Sequence, residues 1–390
     1  MEQKREHFRH VAFYHFIRPA VRLFLLLTFR FRVPEMVKDD GPFVMICNHV
    51  TDLDMLFTSC FFRHHMYYVA SEHITRFGFL YRFLKRYFGP ILRKKGTVAA
   101  ATAMEMKRAV KRGYSLGLFA EGERSANGVN RPVIASTGSL VRMLSCTLYT
   151  VRLHGGYFSS PRWGKGFRKG KITIEIAGRY SPEQLRSMSG EEITALIDRD
   201  IFVDAYADNA TACIAYRGRD TAVGIEHVLL ACPSCGALNT IRSSGNRFWC
   251  PCGMRGIYDE FGLLHGNGFS FSSITEWSRW AKNLISALPE ISPDTELCRD
   301  AGQILLRILP NHSTEKAAEG PLVLTGTALS VGDHLLPLAD MASCDLIAHG
   351  YLLISMKDGC YYQIRNPDHL FSGQLYLLLI DRYHPGIANL

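Results

Sequence analysis

An imidazole five residues ahead of a carboxylate can do acid–base chemistry when the fold lays one against the other. His49 and Asp54 stand at that spacing in Asn48-His49-Val50-Thr51-Asp52-Leu53-Asp54. A carboxylate on one ring nitrogen fixes the tautomer and stabilises the imidazolium, which leaves the other nitrogen to take a proton from a hydroxyl. His49 is then a general base. The apolar run Phe43 to Cys47 reads as a buried strand, so the pair falls at a strand's C-terminal end, where α/β folds expose side chains. Thr51 and Asp54 also read as a helix start resembling a capping box. The two readings agree, because a carboxylate turned back from a first helical turn reaches an imidazole two residues before the cap.

A second block, Phe119-Ala-Glu-Gly-Glu-Arg-Ser125, follows another strand candidate, Tyr114 to Phe119. Together the two blocks resemble the glycerophosphate and lysophospholipid acyltransferase family, whose bacterial 1-acylglycerol-3-phosphate acyltransferases carry an NHxSxxD block followed by FPEGTRS. Asn48, His49, Thr51 and Asp54 fit the first, with Thr for Ser; Phe119, Glu121, Gly122, Arg124 and Ser125 fit the second, with Ala120 for Pro and Glu123 for Thr. Two weaker family blocks depart. In Gly89-Pro-Ile-Leu-Arg-Lys-Lys95, Lys95 takes the usual Arg position with Arg93 and Lys94 beside it, and Thr150 replaces a usual Pro in Tyr149 to Leu153. Lysine offers a point charge where arginine offers a planar fork, so the phosphate grip differs.

The resemblance covers roughly Gly41 to Tyr180. It implies direct acyl transfer: an acceptor hydroxyl, activated by His49, attacks the thioester carbonyl of acyl-CoA or acyl carrier protein. It further implies that Arg124, Lys95 and Arg93 hold the acceptor's phosphate, that Glu121 and Gly122 shape the site, and that Ser125 adds a hydrogen bond. The acceptor implied is a lysophospholipid, foremost 1-acyl-sn-glycerol 3-phosphate, in phospholipid biosynthesis. Glycerol 3-phosphate and other lysophospholipids are alternatives.

Four of the eleven cysteines form a different constellation. Cys232-Pro-Ser-Cys235-Gly236 and Cys250-Pro-Cys252-Gly253, with 14 residues between the inner cysteines, look like two knuckles of a zinc ribbon, the second one residue short. Four thiolates suit a structural, tetrahedral Zn2+. The other seven cysteines are scattered through apolar text, and an odd total without a secretory signal argues for a reducing compartment.

The elements that must position these groups follow from periodicity. Short apolar runs alternate with amphipathic stretches between Gly41 and Tyr180, the pattern of an α/β domain. Strands are expected at Thr147 to Leu153 and Lys171 to Ile176. Helices are expected around Phe77 to Phe88, at Val98 to Lys111, at Gly138 to Leu144, and as one closing helix from Glu183 to Tyr206. Ile274 to Leu288 is an amphipathic helix. Strands then follow at Glu296 to Arg299, Gln303 to Leu309, Leu322 to Thr327, His334 to Leu338, Tyr351 to Met356 and Tyr361 to Arg365, with a closing helix at Phe371 to Asp381. The expected architecture is α/β: an acyltransferase domain with a mostly parallel sheet flanked by helices, followed by a zinc ribbon and a small β-rich domain. The divisions are an interfacial amphipathic helix at 1–33, the acyltransferase domain at 34–222, the zinc-ribbon-like segment at 223–272, and a helix plus β-rich PH-like or GRAM-like domain at 273–390.

The net charge of +9 is concentrated in two acid-free runs, seven basic residues between His73 and Met104 and nine between Arg124 and Ile174. Such faces meet polyanions, either lipid headgroups or nucleic acid. Only seven uncharged residues run from Leu23 to Phe29 between flanking arginines, too few to span a bilayer, so an interfacial helix with snorkelling arginines is expected. The expected place is peripheral, on the cytoplasmic face of a membrane bearing anionic phospholipid. The rival classes are a nucleic-acid-binding zinc-ribbon protein and an inactive lipid-binding scaffold. The ribbon holds only Arg242 and Arg247 as basic residues between Cys232 and Gly253, so no nucleic acid is expected, and the intact blocks count against an inactive scaffold.

Overall fold

The computed structural model describes residues 2–34, 36–39, 41–71, 74–75, 78–93, 99–309, 313–347, 351–365 and 371–388. They divide into two units, Met1–Arg162 with Gly166–Gly218, and Trp163–Lys165 with Arg219–Leu390.

The first unit runs α1 (Glu2–Phe29), β1 (Phe43–Cys47), α2 (Asp54–Phe61), β2 (Met66–Ser71), α3 (Phe79–Tyr87), β3 (Ile91–Arg93), α4 (Ala99–Lys111), β4 (Ser115–Leu118), α5 (Thr137–Leu144), β5 (Thr147–His154), α6 (Gly156–Ser159), β6 (Thr173–Tyr180), α7 (Pro182–Arg186), α8 (Gly190–Ile201) and α9 (Ala205–Ala212). Its sheet has the order β3-β2-β4-β1-β5-β6. β1 pairs in parallel with β4 and with β5, β2 with β3 and β4, while β6 lies antiparallel to β5.

Every residue of β1 is buried because both faces of the sheet are covered. Val44 and Ile46 join Leu116, Leu148, Met106, Val141, Ile193 and Ile197 in one core. Phe43, Met45 and Cys47, on the opposite side by strand alternation, join Phe57, Phe61, Val151, Leu25 and Phe29 in the other. α1 and α2 therefore cover one face, and α4, α5 and α8 the other.

Helix α1 buries His10, Tyr14, Arg18, Leu25 and Phe29 along one stripe. Arg18 does not snorkel outward. Its guanidinium donates to the carbonyls of Cys60 and Phe62, both at 2.7 Å, where α2 ends with unsatisfied carbonyls. By length and composition alone α1 is long and apolar enough to cross a membrane, and 17% of its most apolar 18-residue stretch is buried.

The single helix expected from Glu183 to Tyr206 is three. Ser181 and Ser189 each build a capping box, with Gln184 and Glu192, and the Asp204 carboxylate accepts from the amides of Tyr206 and Ala207. Three N-caps cut one polar-apolar pattern into α7, α8 and α9.

The second unit is antiparallel in its sheets. A four-stranded sheet of order β10-β9-β8-β7 contains β7 (Arg242–Ser244), β8 (Arg247–Trp249), β9 (Arg255–Tyr258) and β10 (Leu264–Asn267), and α10 (Ile274–Ser286) follows. Trp277 of α10 is fully buried against Phe248 and donates its indole N–H to the Ala231 carbonyl at 2.9 Å. A seven-stranded sheet of order β14-β13-β12-β11-β17-β16-β15 then forms from β11 (Glu296–Ile308), β12 (Thr314–Thr325), β13 (Ala328–Val331), β14 (His334–Pro337), β15 (Met341–Ile347), β16 (Tyr351–Met356) and β17 (Tyr361–Arg365). Helix α11 (Gly373–Tyr383) closes it with Tyr376, whose hydroxyl donates to Asp300 at 2.9 Å. The two strands expected at Glu296 to Arg299 and Gln303 to Leu309 are one strand, interrupted by a bulge between Asp300 and Gln303 where Gly302 takes φ +64°.

Candidate active site

β1 and β4 are neighbours in the parallel sheet, so the loops leaving their C-terminal ends meet, and these loops carry the two sequence blocks. Asn48 fixes the first. Its amide donates to the Leu153 carbonyl at 2.9 Å and accepts from the Leu153 amide at 2.7 Å, tying the end of β1 to β5.

The Asp54 carboxylate is buried and turned back over the loop. It accepts from the Val50 amide at 2.7 Å, the Thr51 amide at 3.0 Å and the Thr51 hydroxyl at 2.6 Å, and its Oδ2 lies 2.8 Å from His49 Nδ1. Half of the expected capping box is therefore made. The Asp54 side chain reaches back to the Thr51 amide, but Thr51 Oγ1 accepts from Leu53, and the helix begins at Asp54 itself. With Nδ1 facing the carboxylate, His49 keeps Nε2 for other work, and a quarter of the side chain is exposed. Its ring stacks on Phe119 with centroids 4.6 Å apart.

Glu121 is likewise buried, beside the same backbone. Its Oε1 accepts from the His49 amide at 2.8 Å and from the Asn130 side chain at 2.7 Å, and Oε2 accepts from the Arg131 amide at 2.9 Å. Burial pushes this carboxyl up to about 8, against the pull of those three donors. Glu121 thus shapes the site by holding the His49 main chain from β4's side. Gly122 follows with φ +78°, where a side chain would be strained and its Cβ would press on Ile134.

Arg124 is buried, with Nη1 3.1 Å from Asp52 Oδ2. Burial lowers its pKa from the usual arginine range, and Asp52 opposes that. The Ser125 amide donates to the His49 carbonyl at 3.0 Å, whereas its hydroxyl donates to Val129 and accepts from Gly128, so the side chain builds the 125–129 loop. Arg93 ends β3 exposed, three strands from β1, and Lys95 lies outside the described residues.

Sequence reasoning did not find the partners of these groups. Asp52 pairs with Arg124, and Glu123 accepts from Arg131 at 2.8 Å and Arg162 at 2.9 Å. The one available signal was Glu123 itself, a charge where the resembled family has Thr.

Residues 28–154 match the family model Acyltransferase. That stretch opens at the end of α1, ends with β5 and contains both blocks, so the general acyltransferase character of this part of the first unit rests on it. No curated protein is similar enough to match. Among solved structures, the 1-acyl-sn-glycerophosphate (LPA) acyltransferase PlsC from Thermotoga maritima is similar at a TM-score of 0.39 and 18% identity, over 48% of this chain and 79% of that one.

Cys232, Cys235, Cys250 and Cys252 come together in the second unit, their sulfurs all within 4.8 Å of one another. Cys232 Sγ lies 3.6 Å from Cys252 Sγ, and Cys235 Sγ 3.8 Å from Cys250 Sγ. Four sulfurs at the usual Zn–S length of about 2.3 Å in a tetrahedron stand about 3.8 Å apart, so the set fits zinc. Both knuckles are closed by a glycine amide, Gly236 to the Cys232 carbonyl and Gly253 to that of Cys250, each glycine at positive φ. The turn survives the shorter spacing of the second knuckle.

Proposed function

We propose that this chain transfers a fatty acyl group from acyl-CoA or acyl carrier protein to the hydroxyl of a lysophospholipid, foremost 1-acyl-sn-glycerol 3-phosphate. The observation that carries the reading is His49 Nδ1 at 2.8 Å from a carboxylate already saturated by loop donors. Asp54 cannot swing away without orphaning those donors, so the imidazole is pre-oriented with Nε2 outward.

Nε2 takes the proton of the acceptor hydroxyl as its oxygen attacks the thioester carbonyl carbon. A C–O bond forms, the C–S bond breaks, and the imidazolium returns the proton to the departing thiolate. No covalent enzyme intermediate is required. Asp54 stabilises the imidazolium between the two steps. Arg124, with Arg93 and Lys95, would hold the acceptor's phosphate, Arg124 exchanging the exposed Asp52 for that dianion.

Peripheral attachment to an anionic membrane at its cytoplasmic face completes the reading; the exposed apolar side chains of α1, including Phe8, Phe16, Leu23 and Leu27, support contact with a membrane. Cys232, Cys235, Cys250 and Cys252 would hold one structural Zn2+, with all four positions filled by protein and none open to substrate. The seven antiparallel strands closed by α11 support a PH-like module.

The test is a turnover assay of the intact protein with acyl-CoA and acyl carrier protein donors against a panel of lysophospholipids and glycerol 3-phosphate. Transfer onto a lysophospholipid that disappears in His49→Ala is the expected result. Transfer that persists in folded His49→Ala removes the mechanism, and transfer onto glycerol 3-phosphate alone removes the acceptor assignment.

A further inference from the structure

The four-stranded sheet of the second unit has one face inside and one outside. Phe248, Gly256, Tyr258 and Leu264 alternate inward, where Phe248 meets Trp277 and Phe269. The register fixes what the outer face shows. Arg242, Trp249 and Arg255 stand opposite one another across β7, β8 and β9, and Arg247 and Ile257 form the adjacent row. The row after that falls at the β9–β10 turn, where the Asp259 amide donates to the Leu263 carbonyl and places Leu263 on the same side as Ile257.

This face is apolar and cationic at once. Trp249 is 37% exposed, Ile257 40%, Leu263 36%, and Phe261 at the turn tip 36%. Arg242, Arg247 and Arg255 are all exposed around them. The acid on this side, Asp259, is spent: it accepts from His265 at 2.7 Å and from the amides of Phe261 and Leu263 at 2.8 Å each. Arg242 donates to the Asn239 and Ile241 carbonyls at 2.9 and 2.7 Å and so is held at the edge of the face. A sheet that leaves an indole and aliphatic side chains in water among exposed arginines is built to be covered.

We infer that the outer face of this four-stranded sheet docks on an anionic lipid bilayer. The composition selects lipid over a nucleic-acid strand. A strand needs a succession of stacking platforms, and here the outward register rows hold Trp249 and one imidazole, His265, which is tied to Asp259 at 2.7 Å, with the aliphatic Ile257 and Leu263 beside them. Aliphatic side chains cannot stack on bases but do partition into the acyl boundary, while tryptophan settles at headgroup level and arginine binds phosphate. The inference rests on this face alone and does not depend on the acyl-transfer reading.

The tryptophans provide a clean readout, because Trp163, Trp249, Trp277 and Trp280 all lie in the second unit and α1 contains none. Intact protein is mixed with vesicles of brominated phosphatidylcholine, with and without phosphatidylglycerol, and with a single-stranded oligonucleotide, and tryptophan emission is followed. Quenching and a blue shift on the anionic vesicles are expected. Both should vanish in Trp249→Phe, and the double variant Arg247→Glu/Arg255→Glu should partition at least about tenfold more weakly, at about 1 kcal/mol per basic residue near the surface. Vesicle-bound protein with unquenched tryptophan overturns the inference, because attachment is then through the first unit alone. Quenching unchanged by Trp249→Phe overturns it too, as does quenching by the oligonucleotide without quenching by vesicles. Acyl transfer measured on detergent-dispersed acceptor reports on the first unit separately, so the two readings fail independently.

Discussion

The loop around His49 and the four-stranded sheet beside the four cysteines both gather reactive side chains, but they do so by opposite means. At His49 the donors are backbone amides, Val50 and Thr51 to Asp54, and His49 and Arg131 to Glu121, projecting from strands buried on both faces. That geometry exists before any ligand arrives. In the four-stranded sheet the strands are three or four residues long, and four sulfurs lie within 4.8 Å of one another. As four thiolates these sulfurs would repel, so the proposed zinc would complete what the chain begins. A site whose order precedes its ligand should lose chemistry and keep its fold when its central group is removed. A site whose order depends on the ligand should lose its fold first.

The largest expected effect tests the first half of that contrast. His49→Ala should reduce acyl transfer about 100-fold to 10,000-fold while the melting temperature stays near that of the parent, since the ring stacks on Phe119 at a partly exposed position. Asp54→Asn should lower turnover similarly but also cost stability, because an amide nitrogen then faces donors. A folded His49→Ala protein with normal turnover would refute the mechanism. The second half is tested by chelation or Cys232→Ser. Zinc thiolate sites contribute on the order of 10 kcal/mol or more where metal is the only source of order. Here Phe248 and Trp277 supply a core beneath the sheet, so the effect should be smaller. A drop of roughly 5–15 °C in the melting of the second unit is expected, at about 2–4 °C per kcal/mol for a unit of this size. Elemental analysis should give close to one zinc per chain. Unchanged melting with no zinc would show that the knuckles stand on their glycine turns alone.

A smaller effect should follow from Glu121→Gln. The amide can accept on one side only, and its NH2 must confront the N–H of His49 and Asn130 or that of Arg131. The His49 main chain then shifts, and turnover should fall roughly tenfold to 100-fold, within the range that small misplacements produce. The substitution also carries a pH signature. Burial raises the Glu121 carboxyl from 4.5 in the unfolded chain to about 8, so between those values the unfolded state has released a proton that the native state keeps. Its contribution to stability is present below about pH 4.5 and is lost as the pH rises through 8. Thermal melts of Glu121→Gln should lack that decline, and equal slopes in both proteins would assign it elsewhere.

What the sequence disclosed follows the same division between local and distant. The limits of β1, β16 and β17 could be read to the residue because each is a short strand-like run, apolar in β1 and carrying Gln363 and Arg365 in β17, with turn signals at both ends. β2 could not: Met66 to Ala70 is a continuous apolar run, but no Gly or Pro bounds it, so nothing local separates a strand from a helical segment there. β3 has three residues, too few for any pattern. His49 and Asp54 lie within one turn and are visible as a pair. Glu121 could be named, but its bond to the His49 amide spans 72 residues, and Glu123 meets Arg162 across 39. Parallel pairing of β1 with β4 creates the first of these contacts, and no local pattern encodes that pairing.

The smallest expected effect sharpens the comparison within the first unit, where His65 has burial without the carboxylate that His49 enjoys. His65 is buried next to His10 and Tyr14 of α1 and to Tyr67 of β2, with ring centroids 5.9, 5.7 and 4.7 Å away. Burial, with His10, His7 and His15 adding to it, lowers its pKa from 6.5 to about 3, and the Phe88 carbonyl is the group that favours its proton. The native state therefore holds His65 neutral where the unfolded chain is already protonated. Its contribution is fully present above about pH 6.5 and is lost as the pH falls toward 3, with a slope of up to about 1.4 kcal/mol per pH unit. Protonation would place a charge between the rings that dock α1, so the N-terminal half of that helix should loosen first. Melts from pH 7.5 downward should show the parent losing stability relative to His65→Phe, which keeps the ring packing without the titration. Parallel curves for the two proteins would show that the docking of α1 does not depend on a neutral His65.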